Sequence, residues 1–161
     1  MIDEIRPFKE RPGPWRLLVF ALLGWLVSMI QVGFLGRLPL LGAPIPLLAA
    51  VCVLVAWKYG AASGAVLGVV GGLTLDVLSA HALALSPLLL VAFAIYTDRA
   101  AARLFDHPLS RLLAALPPYA VWGAVTALRA GSLATGAAAL LGAILATVLL
   151  SIPGFVRLLR R

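Results

Sequence analysis

The side chains that could do chemistry are few, and their positions say what kind. Asp76 is the only acidic residue between Glu10 and Asp98, and it ends a long uncharged stretch. An acid inside an apolar segment is by default a candidate for proton or ion handling. Counting about 1.5 Å per residue from Tyr59 places it roughly 25 Å along a helix, near an interface rather than at mid-membrane. There the cost of charge falls, and capping or ion pairing competes with chemistry. A proton relay needs further buried titratable groups, and the other predicted spans supply none. His81 and His107 fall in short loops on opposite sides of the predicted bundle, so they cannot share a metal. Cys52 is the single cysteine, which excludes an intrachain disulfide and a CxxC site; within its apolar run it reads as a small packing residue. Ser28, Ser63, Ser86 and Ser151 have no His or Asp arranged near them in sequence to make a nucleophile. The residues predict no catalytic constellation, no metal site and no cofactor, and the chain reads as a non-enzyme.

The segment leading into Asp76 carries a different signal. Gly60, Gly64, Gly68 and Gly72 recur every four residues, which puts them on one face of a helix over 59–78. Such a face lets two helix backbones approach closely, the main source of association where lipid replaces water. The spacing leaves open whether the neighbour belongs to the same chain or to a partner. A phosphate-cradling loop is excluded, because no Lys-Ser/Thr follows the glycines. Asp76, Arg37 and His81, all expected on one side, form the candidate partner or ligand contact. Arg99, Arg103 and Arg111 form a basic loop on the other side, suited to anionic lipid headgroups or a cytoplasmic partner.

These residues must be positioned by elements that the charges themselves mark out. Of 161 residues, 63% are hydrophobic and 12% charged, with a mean hydropathy of +1.07. A soluble domain carries about 25% charged residues, and a disordered one is poor in apolar residues, so both classes are excluded. The uncharged runs are 17–36, 38–57, 59–75, 77–97, 112–128 and 130–156, each about the length of a bilayer span. They predict six transmembrane helices, at about 16–35, 40–57, 59–78, 83–98, 110–128 and 135–157. A basic tail, 1–14, precedes the single helical domain of 15–161. Pro44 and Pro46 suit a first helical turn, whereas Pro117-Pro118 requires the fifth helix to begin well before them and kink.

With the N-terminus inside, eleven Lys and Arg fall on the cytoplasmic side and only Arg37 and Arg129 outside. That asymmetry is the positive-inside rule, and it accounts for the net charge of +7 without nucleic acid. Trp15, Trp57, Tyr59 and Tyr96 fall at the same cytoplasmic ends, where amphipathic rings favour the headgroup layer. The first run is long for a signal peptide and lacks a small-x-small cleavage site, so it reads as an uncleaved first span.

The stretch Tyr59-Gly60-x-x-x-Gly64-x-x-x-Gly68-x-x-x-Gly72-Leu73-x-x-Asp76-x-Leu78-Ser79, followed by an apolar segment ending at Tyr96, resembles the rod shape-determining protein MreD family. The family commonly reads Pro-Asp near its second span and Leu-Gly after the aspartate; here Ile45 follows Pro44, and Leu83-Ala84 or Leu85-Ser86 stands for the latter. The resemblance implies a non-enzymatic scaffold of the bacterial inner membrane that supports rod shape and lateral-wall peptidoglycan synthesis. It implies association with the bitopic protein MreC, and through the elongation complex with RodA, a penicillin-binding protein and MreB filaments. The family is also similar in architecture to the substrate-binding subunits of energy-coupling-factor transporters. That similarity supplies a second expectation, a small-molecule (vitamin-type) binding subunit. Gln31, Arg37, Asp76, His81, Ser86 and Arg129 are the polar side chains available to such a ligand.

Overall fold

The computed structural model describes residues 12–35, 45–79, 85–103 and 108–150, which are all-helical apart from short connections. Six helices follow in order: α1 (Pro14–Gly33), α2 (Leu47–Tyr59), α3 (Ala61–Leu78), α4 (Leu85–Arg103), α5 (Pro108–Ala130) and α6 (Leu133–Leu150). Three of them, α1, α3 and α4, are long and apolar enough to cross a membrane. Their outward faces carry large apolar side chains such as Trp15, Leu22, Val77 and Leu88. Exposed apolar surface on this scale is at odds with water and suits lipid.

The helix ends have local causes. Pro14 opens α1 at a position where a missing N–H costs nothing, and Gly13 accepts the first helical bond from Leu17 N–H at 3.2 Å. A single residue separates α2 from α3. Gly60 N–H donates to Ala56 O at 3.0 Å and closes α2, while Gly60 O accepts from Gly64 N–H at 3.2 Å and opens α3. Its φ of 96° with ψ of 169° lies in a region that essentially only glycine occupies. At the other end of the bundle Gly131, with φ of 64°, ends α5, and Ser132 N–H reaches back to Ala127 O at 3.1 Å. This is the Schellman arrangement, and it turns the chain directly into α6.

α2 is the centre of the bundle. Eight of its thirteen residues are buried, including Leu48, Cys52, Val53 and Ala56, which explains its lack of an apolar stripe: every face meets protein. At thirteen residues it is about 20 Å long, shorter than the 40–57 span that hydropathy predicts. α3 packs on α4, α1 and α2, whereas α5 and α6 pack chiefly on each other and meet the rest through α2 and α4. The hydroxyl of Tyr119 on α5 bonds the Thr147 hydroxyl on α6, which in turn donates to Ala143 O at 2.9 Å. α5 does begin well before Pro117-Pro118, and both prolines lie inside it. The basic loop expected over 98–111 is corrected: α4 continues to Arg103 and α5 resumes at Pro108. An apolar run ends where charge begins, but a helix continues into the headgroup layer when its backbone bonds do.

Candidate functional site

The glycine face divides into two jobs. Gly60 lies in the α2–α3 turn and not on the face, so the expected row of four is a row of three on α3. A Cβ at Gly64 would stand 2.7 Å from Ala56 Cβ and 2.9 Å from Ala94 Cβ. One at Gly68 would meet Leu90 Cβ at 2.9 Å, and one at Gly72 would meet Pro87 N and Cα at 2.6 Å. These are distances real Cβ atoms do not occupy, so the row lets α4 lie directly on the α3 backbone. Its neighbour is therefore a helix of the same chain, with Ala56 of α2 at the Gly60 end.

A second glycine seam, not anticipated from the repeat, binds α1 to α3. A Cβ on Gly24 would lie 2.5 Å from Leu67 O, and one on Gly71 would lie 3.0 Å from Gly24 O. Ser28 sits beside this contact, its single hydroxyl hydrogen shared between Gly24 O at 2.8 Å and Gly71 O at 2.7 Å. A third seam joins α5 to α6, where a Cβ on Gly136 would meet Gly123 O at 2.6 Å. The Gly71-Gly72 doublet was the available clue to the first of these: adjacent helical residues point about 100° apart, so one face cannot use both. Gly123 stands alone in α5, and Gly136 shares α6 only with Gly142 six residues on, which gives no such periodic signal.

At the end of the bundle marked by Gly131, two side chains close helix N-termini that belong to other helices. Asp76 is 4% exposed; its Oδ2 accepts from Ser86 N–H at 3.1 Å and its Oδ1 from the Ser86 hydroxyl at 2.5 Å. Ser86 lies in the first turn of α4, where backbone N–H groups have no helical acceptor and the dipole favours negative charge. The next residue, Pro87, has no N–H to satisfy. Gln31 does the same for α2: its Oε1 accepts from Leu48 N–H at 2.7 Å. Both caps fix helix ends across the bundle, α3 to α4 and α1 to α2.

Between these caps and the α5–α6 turn lies a cavity of about 340 Å³. Gln31, Ser79, Thr126, Arg129 and Thr135 give it a polar lining, while Pro46, Leu75 and Trp122 supply apolar walls. Trp122 is held edge-on to Phe93, with ring centroids 6.3 Å apart. Of the polar residues named for a vitamin-type ligand, the structure brings Gln31 and Arg129 together here and spends Asp76 and Ser86 on each other. Arg37 and His81 lie outside the described residues. Arg99 and Arg103 are exposed on the last turns of α4, at the opposite end. Arg111 falls within α5, with its side chain outside the described part. Among the described residues no group of three or more His, Cys, Asp or Glu could hold a metal ion. Cys52 is buried, and its thiol lies 3.5 Å from Gly64 O and 3.4 Å from Leu90 O, across the α3–α4 seam.

No protein-family model, curated protein or solved structure matches the chain.

Proposed function

We propose that this chain is a non-enzymatic scaffold of the bacterial cell-elongation complex, related to the MreD family. Six helices would span the inner membrane with both termini cytoplasmic, and the output of the bundle would be binding. The partner would be an MreC-like bitopic protein, and through it the RodA, penicillin-binding-protein and MreB machinery, with anionic lipids around the basic ends. The observation that carries the reading is the segment from Gly60 to Ser79. Its glycines and its aspartate resemble the family motif, and every one of them has a packing or capping task. A motif spent on holding the helices of one bundle together fits a chain whose output is binding.

Depletion in the native host tests this. Cells losing the chain should round up and swell, and expression of the wild-type chain should restore rods. Rods that persist through complete depletion would sink the proposal.

A second reading has one specific support, the cavity lined by Gln31 and Arg129. Its size falls at the lower end of ordinary ligand pockets, about 300–1,000 Å³. A vitamin-type binding subunit of an energy-coupling-factor transporter would use such a chamber. Purification with an ATPase pair and a bound vitamin would favour it over the scaffold.

A further inference from the structure

We infer that the cavity beside the α5–α6 turn takes the headgroup of an anionic membrane lipid, with Arg129 as its counter-charge. Among the described residues lining the cavity, Arg129 is the only charged one. Arg129 is exposed in the last turn of α5, so its charge at the mouth of the cavity is open to an anion at the membrane surface. Among the described residues no carboxylate is placed to meet it. Asp76 is the only acidic residue between Glu10 and Asp98, and none follows Asp106. Asp98 lies near the opposite end of α4, and both oxygens of Asp76 are engaged by Ser86. None of the described carboxylates supplies the counter-charge, which leaves Arg129 open to an external anion.

The surroundings select an amphiphile over a free ion. Next to Arg129, Leu128 is 83% exposed, and Leu133 just beyond the turn is 87% exposed. They flank the polar cavity with apolar surface. Ser79 and Thr135 add neutral hydroxyls suited to phosphate and glycerol oxygens. With about 340 Å³ the cavity has room for a headgroup and not for two acyl chains, which would run outside over the apolar faces. Trp122, two turns before Arg129 on α5, lies about 10 Å deeper, at the level of the first half of those chains. The inference rests on the cavity and its charge, independently of the scaffold reading.

Trp122 supplies the probe. In a chain carrying Trp15→Phe, Trp25→Phe and Trp57→Phe, it is the only tryptophan left. Reconstitution into phosphatidylcholine vesicles with a minor fraction of lipid brominated at carbons 6 and 7 reports what sits beside it. Brominated phosphatidylglycerol should quench Trp122 several-fold more than brominated phosphatidylcholine at equal mole fraction. Arg129→Gln should abolish that preference, and millimolar inorganic phosphate should leave it unchanged. Equal quenching by the two lipids, or a preference that survives Arg129→Gln, overturns the inference. Loss of the preference on adding phosphate overturns it in favour of a soluble anion. If the triple Phe variant does not fold, phosphatidylglycerol retained per purified chain is read by mass spectrometry in wild type and Arg129→Gln. Retention only in wild type supports the lipid site, and equal retention refutes it. Either result leaves the cell-shape test unaffected, so the two proposals fail separately.

Discussion

At the residue scale, backbone conformation and capping decide what single positions tolerate. Gly60 joins α2 to α3 at φ 96°, ψ 169°, where a side chain is strained whatever the surrounding space. Gly60→Ala should cost about 1–3 kcal/mol, read as a lower thermal midpoint in detergent. Gly33, at the end of α1, has open space where a Cβ would go. Gly33→Ala should change stability by less than about 0.5 kcal/mol and serves as the control. Asp76 distinguishes capping from proton chemistry. Asp76→Asn keeps a carbonyl oxygen for Ser86 and should retain most stability and complex formation. Asp76→Leu leaves two buried donors of Ser86 without an acceptor and should cost about 2 kcal/mol or more. If Asn loses function while the thermal midpoint holds, Asp76 acts as a proton site or a partner contact and the capping account fails. The place of Asp76 near the end of its helix was legible in the sequence. Capping was an expected role, but its donor was not readable, because Ser86 is brought to it only when α4 folds back on α3.

At the element scale, helix pairs are set by where backbones can touch. Gly64, Gly68 and Gly72 meet α4, while Gly24 with Gly71 joins α1 to α3. Gly68→Leu should cost about 3 kcal/mol or prevent folding, because a Cβ alone already stands 2.9 Å from Leu90 Cβ and 3.2 Å from its carbonyl carbon. Recovery of a wild-type thermal midpoint in that variant would remove the close-packed seam. Periodicity made the α3 face readable, since three glycines four apart can only share a face. It misassigned Gly60, which keeps the same spacing yet sits where the helix breaks. Spacing records angular position along an ideal helix and carries no information about φ. The shortness of α2 was equally hidden, since hydropathy counts apolar residues whether or not they are helical. The polar stretch after Tyr96 misled in the opposite sense: charge marks where lipid ends, and α4 runs on to Arg103.

At the scale of the whole molecule, two packed groups share a centre. α1, α3 and α4 assemble around α2 through glycine contacts and cross-helix caps, and the α5–α6 hairpin leans on α2 and α4. The cavity lies where the two groups meet at the Gly131 end. Composition and the placement of charges made the membrane and the helix count legible. The cavity was not, because Gln31 and Arg129 are far apart in sequence and only packing unites them. Cys52 is fully buried and should be silent to aqueous thiol reagents, so topology can be mapped without removing it. A cysteine placed at position 99 or 103 should label from the cytoplasm only. Labelling from outside would overturn the proposed six-span orientation.

The central claim is that this chain acts by binding, as a scaffold for a bitopic partner. Co-purification from native membranes under mild detergent tests it most directly. The proposal predicts recovery of a single-span protein with a coiled-coil region outside the membrane, together with wall-synthesis enzymes, and retention of that complex by Asp76→Asn. Recovery of an ATPase pair with a bound vitamin, and no bitopic partner, would contradict it.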